Sequence, residues 1–211
     1  MPRAEPYDWN AVVIGYWNRA ILTPSGISSR LFGLGPTVPI VVEVPLDSMA
    51  PYRVRHESVT VTVESSKLSV NADLATYECL SKAMSIAAKG MTSLPETPFV
   101  AAGHNLHFRI SEPSTDFQIA SKLPMDDRLS DAGFSIETRS IKRSLPQKNG
   151  MLNLEIRDTA NRGLEIDFNF HRQSSNRTEL LEWLNTPIVE WKTVVEKIME
   201  KVIGVQCGEN Q

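Results

Sequence analysis

The sequence is short of the features that announce chemistry. Its 211 residues hold two cysteines, Cys79 and Cys207, too few for a disulfide framework and without the paired spacing of a zinc site. No segment approaches the ~20 apolar residues that span a bilayer. The opening MPRAEPYDWN has no apolar run of signal-peptide length, which predicts a cytoplasmic chain with reduced thiols. The glycines form no GxGxxG and no GxxxxGK, and Ser25 and Ser28 stand in no GxSxG, so neither a phosphate-cradling loop nor a nucleophile elbow is indicated. Charge of one sign is missing too: 22 basic against 25 acidic residues give no concentrated positive field for nonspecific nucleic-acid binding. No cofactor is expected.

What is present is the pattern of a folded α+β domain. Hydrophobic residues make up 41% of the chain and charged residues 22%, enough apolar surface to exclude general disorder. The periodicities predict a largely antiparallel sheet with two main amphipathic helices packed on one face. Residues 1–10 are expected to be a flexible terminus, 11–204 one domain and 205–211 a flexible tail. A buried strand opens at Ala11–Tyr16, and Thr23-Pro24 caps a short helix that Gly33 stops. Val38–Val44 is apolar and β-branched, the mark of a central strand covered on both faces. Val59, Val61 and Val63 alternate with Thr60 and Thr62, and Lys67–Asn71 returns as a hairpin partner. Asp73 is expected to cap a helix running from Leu74 to about Lys89, which Gly90 ends.

In the second half, Thr97–Ile110 reads as a long strand with His104, Leu106 and Phe108 on one face and Asn105, His107 and Arg109 on the other. Residues 111–132 read as a loop with one helical turn near Phe117–Lys122. Strands follow at Phe134–Lys142, Met151–Arg157 and Leu164–His171, the last two joined by a turn at Asn161-Arg162-Gly163. Asn176 and Glu179 resemble a capping box, and Pro187 restarts a helix that ends at Gly204. Each half thus reads as three strands followed by a helix, a duplicated β-β-β-α plan.

Four candidate constellations stand out. His104 and His107 are spaced three apart on a strand, so their rings point to opposite faces and cannot share a metal; a core-facing His104 bonded to backbone is the expectation. His107, Glu165, Asp167 and His171 could converge, with Asn105, Arg109 and Asn169, if their two strands are neighbours; paired carboxylates at that spacing suit general acid–base work or a divalent ion. Arg139, Lys142, Arg143 and Lys148 form one basic strip and Arg53, Arg55 and His56 another, without the interleaved aromatics of a stacking platform. Trp183 and Trp191, eight residues apart on one helical face, could anchor a protein partner.

At GYWNRAILTPSGISSRLFG, VVEVPLD and LPETPFVAAGHNLHFRI the sequence resembles sporadically distributed, uncharacterised bacterial protein families, in patches over residues 1–110. Trp17, Asn18, Ala20, Ile21 and Pro24 match one pattern of those families, and Thr97, Pro98, Ala101, Gly103, Asn105 and Phe108 another. Gly26-Ile27 departs from the Trp-Ile expected there. The resemblance implies no activity; sporadic distribution suits phage or host-defence systems. The functional expectation is a non-catalytic interaction module, an accessory subunit with a protein partner or a homo-oligomer and no membrane. Two alternatives accompany it. One is a metal-assisted hydrolase or nuclease built on the acidic pair, the other a small-ligand or nucleic-acid sensor using the basic clusters.

Overall fold

The computed structural model describes residues 2–46, 50–111, 123–159 and 163–207. Its framework is a ten-stranded sheet, antiparallel but for one pair, with helices on one face. The first strand is β1 (Arg3–Gly15), so residues 3–10 are strand and not a flexible terminus. Their strand pattern is disguised by a bulge at Asp8, whose φ is +51°, which shifts the register against the neighbouring strand between Tyr7 and Asn10. The alternation therefore changes phase: Ala4 and Pro6 face the core before the bulge, and Trp9, Ala11 and Val13 after it.

After β1 comes α1 (Pro24–Ile27), continued by a wider turn over Ser28–Phe32; Thr23 accepts a hydrogen bond from the Gly26 amide and Gly33 adopts the left-handed stop, as the sequence predicts. β2 (Val41–Glu43), β3 (Arg53–His56), β4 (Val59–Val63) and β5 (Lys67–Ala72) form an antiparallel meander. β2 corrects the expectation of a central strand at Val38–Val44. It lies at the sheet's edge, with all three residues exposed. Helix α2 (Tyr77–Ser93) is capped by Thr76, not Asp73, which is drawn off to accept from Thr60 and pair with Arg55. It runs past Gly90, where a Cβ would come within 2.8 Å of Leu68; the glycine lets helix and sheet approach and does not end the helix.

The second half repeats the plan. β6 (Phe99–Ile110) is followed by α3 (Pro124–Asp131), then the meander β7 (Thr138–Gln147), β8 (Gly150–Thr159) and β9 (Gly163–Gln173), then α4 (Arg177–Leu184) and α5 (Ile188–Ile198). β7 begins four residues later than expected and runs on to Gln147. The helical turn at Phe117–Lys122 and the Asn161-Arg162 part of the expected turn lie outside the described residues. Asn176 caps α4 through the Thr178 amide, while Glu179 turns away to Arg172 and Ser174, so no capping box closes. The expected tail is also structured through Cys207: Val205 is buried, and β10 (Gln206–Cys207) pairs in parallel with the start of β1.

The strand order is β2-β3-β4-β5-β1-β6-β9-β8-β7. Without β2 it reads the same from both ends: each half places its first strand at the centre, its last strand beside that, and the other two outward. The repeat is of four strands with a short helix after the first, not three strands. Residues mark it as well. Pro24 and Pro124 open the short helices, and Gly33 and Gly133, both at positive φ, follow them. Asn10 and Asn105 face each other across the central pair, with Asn71 and Asn169 next outward.

The core lies between the sheet and α2, α4 and α5. Leu68, Val70, Ala11, Val13, Leu106, Phe108, Ile166, Phe168 and Phe170 supply it from the sheet, with Leu80, Met84, Leu180, Trp183 and Trp191 from the helices. The alternation read for β6, β8 and β9 is the one observed.

Candidate functional site

The face of the sheet away from the helices is open and polar. Because β6 and β9 are neighbours, the register sets His107 against Asp167, Arg109 against Glu165 and Asn105 against Asn169, so these six groups do converge as the sequence suggested. His107 Nδ1 lies 2.6 Å from Asp167 Oδ1, and Arg109 donates to Glu165 at 3.2 Å. Arg157, on β8, reaches between the two carboxylates, donating to Asp167 at 2.7 Å and lying 3.4 Å from Glu165. Burial pulls the Asp167 carboxyl up, but the His107 hydrogen bond and the His107 and Arg157 charges outweigh it and hold the group below its ordinary value. Tyr7, half-buried beside His107 and under Arg109, is moved upward by burial and by Glu165 and Asp167.

This arrangement decides what the acidic pair can do. Each carboxylate already faces a cation, so recruiting a divalent ion would require displacing Arg157. Among the described residues no group of three His, Cys, Asp or Glu side chains is placed to hold a metal. His171 does not join: four residues beyond Asp167, it is about 13 Å further along β9, beside Gly103 and Met151, with its Nδ1 3.4 Å from Asn153. The His107–Asp167 pair is the geometry of a positioned base, though no serine, threonine or cysteine is hydrogen-bonded to it among the described residues.

A row of amides crosses the same face. Ser144 donates to Asn153, Asn153 to Asn169, Asn169 to Asn105 and Asn105 to Asn10, so five adjacent strands are tied by hydrogen bonds running one way. Sequence reasoning saw Asn105 and Asn169 and missed the row, because its members become neighbours only through strand order. Asn105, Asn153 and Asn169 of this row, with Ala101, Gly103 and His171, line a concavity of about 310 Å³. A Cβ on Gly103 would stand 2.3 Å from the Phe170 carbonyl oxygen, so its smallness serves the close approach of β6 to β9.

The remaining candidates are placed elsewhere. Trp183 and Trp191 are 3% and 0% exposed, with ring centroids 4.8 Å apart and planes tilted by 55°, which corrects their expected role as partner anchors: both rings are buried in the core. His104 sits fully buried between Phe170 and Trp191 and, contrary to expectation, has no hydrogen-bond partner among the described residues; burial alone pushes its pKa down to about 3. Arg139 bonds Asp126 and Asp158, Lys142 pairs with Glu155, and Arg143 donates to the Lys142 carbonyl. Arg53 pairs with Glu43, Arg55 with Asp73 and Lys148 with Glu190. Apart from Arg143, these basic residues are each matched by a carboxylate, which weakens a phosphate-binding field.

The two edges of the sheet differ in kind. β7 carries Lys142, Arg143 and Pro146, residues that discourage a further strand, and Arg143 occupies one of its carbonyls. β2 and its flank carry Val41, Val42, Val44 and Leu46, exposed by 57, 37, 77 and 107%. No helix among the described residues is long and apolar enough to cross a membrane. No protein-family model and no curated protein matches this sequence.

Proposed function

We propose that the chain is a non-catalytic interaction module, an accessory subunit that docks within a larger cytoplasmic protein assembly through the β2 edge of its sheet. The observation that carries this reading is the combination at β2 of apolar side chains and a backbone edge that no other strand among the described residues pairs. An edge strand bonds to its sheet on one side only, and the groups on its other side are a template for a further strand. The phage- or defence-linked setting implied by the resemblance suits such a subunit. The test is native mass spectrometry of the affinity-purified full chain, wild type beside Val42→Lys, which places a charge on the edge. A stoichiometric complex in the first and not in the second is expected; equal association in both would overturn the reading.

Hydrolysis is the second reading, favoured by the His107–Asp167 contact. In that reading His107 takes a proton from water while Asp167 orients the ring. Loss of a measured hydrolytic activity in His107→Ala, with the fold intact, would support it; full retention would end it.

A further inference from the structure

We infer that the partner at the β2 edge is a second copy of this chain, paired antiparallel about Val42 so that two sheets continue as one. The inference rests on the docking reading above and supplies its partner. Its basis is the symmetry of the strand. Pro39 and Pro45 each stand three residues from Val42, and proline, which has no N–H, ends a ladder. Between them lie five residues, Ile40 to Val44, that keep their N–H, with alternate ones directed away from β3. Two copies related by a twofold axis at Val42 set Pro39 of each against Pro45 of the other, Ile40 against Val44, Val41 against Glu43, and Val42 against itself. Any shifted register brings a proline of one copy into the ladder of the other. An interface in which one patch serves both subunits requires this self-complementarity.

The side chains agree with the backbone. Val42 registers with Val54, which is fully buried on the helix side of the sheet. By alternation Ile40 and Val44 share that side, so pairing joins the apolar stripes of the two cores and covers Val42 and Val44. On the open side Glu43 keeps its contact with Arg53 and meets Val41 of the second copy, so no two like charges face each other. The β7 edge offers no competing surface: a second copy placed there would set Lys142 and Arg143 against matching cations or against Pro146.

A five-residue strand falls short of the ~1,000 Å² of a tight interface, so the association is a reversible monomer–dimer equilibrium. Sedimentation of the purified full chain from about 1 µM to 1 mM should show the mass doubling as concentration rises. Val42→Lys should weaken the dimer at least ~10-fold, and Ile141→Lys, on the opposite edge, should leave it unchanged. In a Cys207→Ser background, Val42→Cys should be joined into a covalent dimer by a short bis-maleimide. A monomer at every concentration, or a dimer that Val42→Lys leaves intact, would overturn the inference. The docking reading would survive the first of those results if wild type retained a protein partner that Val42→Lys lost, and would fall with it if neither retained one.

Discussion

In the amino-terminal half of the sheet, the helix that follows the first strand packs into the core, with Ile27 and Leu31 fully buried. In the carboxy-terminal half, α3 stands at the same point of the plan and also begins with proline, yet Met125 is 60% and Leu129 37% exposed. What holds α3 is polar: Asp126, 6% exposed, accepts from the Leu123 amide at its own start and from Arg139 on β7 at 2.6 Å. The outer strands differ in the same sense, β2 apolar and unguarded, β7 charged. A repeated strand order therefore fixes where elements lie and leaves open whether each is held by burial or by ion pairs.

That contrast breaks first under truncation. Leu31→Ala should cost about 2–5 kcal/mol, the range for a buried leucine that leaves a cavity. Leu129→Ala, already half in solvent, should stay within about 0.5 kcal/mol. Urea unfolding of the two variants measures both; equal losses would mean that α3 is packed as α1 is.

The central strands sharpen the comparison through pH. Trp9 on β1 and His104 on β6 precede the paired Asn10 and Asn105, and both rings are buried, but Trp9 donates to the His107 carbonyl while His104 is neutral and held by aromatic contacts. Because burial lowers its pKa to about 3, folded His104 refuses a proton that the unfolded chain takes up below about 6.5. Stability from this group is whole above that value and should fall by about 1.4 kcal/mol per pH unit below it, towards pH 3. His104→Leu should flatten that slope. Denaturant midpoints at pH 7 and 5 should show wild type losing more stability than the variant; equal losses would mean that His104 titrates normally.

Much of this was legible from residues alone. Val59, Val61 and Val63, the two faces of β6 and the alternation of β8 and β9 follow from period two, because each strand has one face in a core and one in solvent. The misreadings share a cause. At β1 the Asp8 bulge breaks the period that identifies a strand; at β2 the apolar run that suits a central strand proves equally able to lie at an edge; at Asp73 a cap residue is taken by a cross-strand partner. The candidate site was half legible for the same reason. His107, Glu165 and Asp167 could be named from their shared faces, whereas Arg157, which neutralises the pair, and the amide row depend on which strands sit side by side.

The smallest expected effect separates the polar face of the second half from its charged edge. Arg157 bridges Asp167 and Glu165 from a half-buried position, and Lys142 meets Glu155 with its side chain 71% exposed. Arg157→Gln should cost about 1 kcal/mol or less, since solvent screens a partly exposed pair, and should let the Asp167 carboxyl rise towards its ordinary value. The stability that Asp167 contributes is present above its unfolded pKa and lost as pH falls through the lower folded one, so the variant's acid unfolding should begin at a higher pH. Lys142→Ala should change neither stability, beyond about 0.5 kcal/mol, nor the Asp167 titration followed by NMR. If Lys142→Ala moved that titration as far as Arg157→Gln does, the edge and the face would form one electrostatic unit, and the contrast drawn between them would not hold.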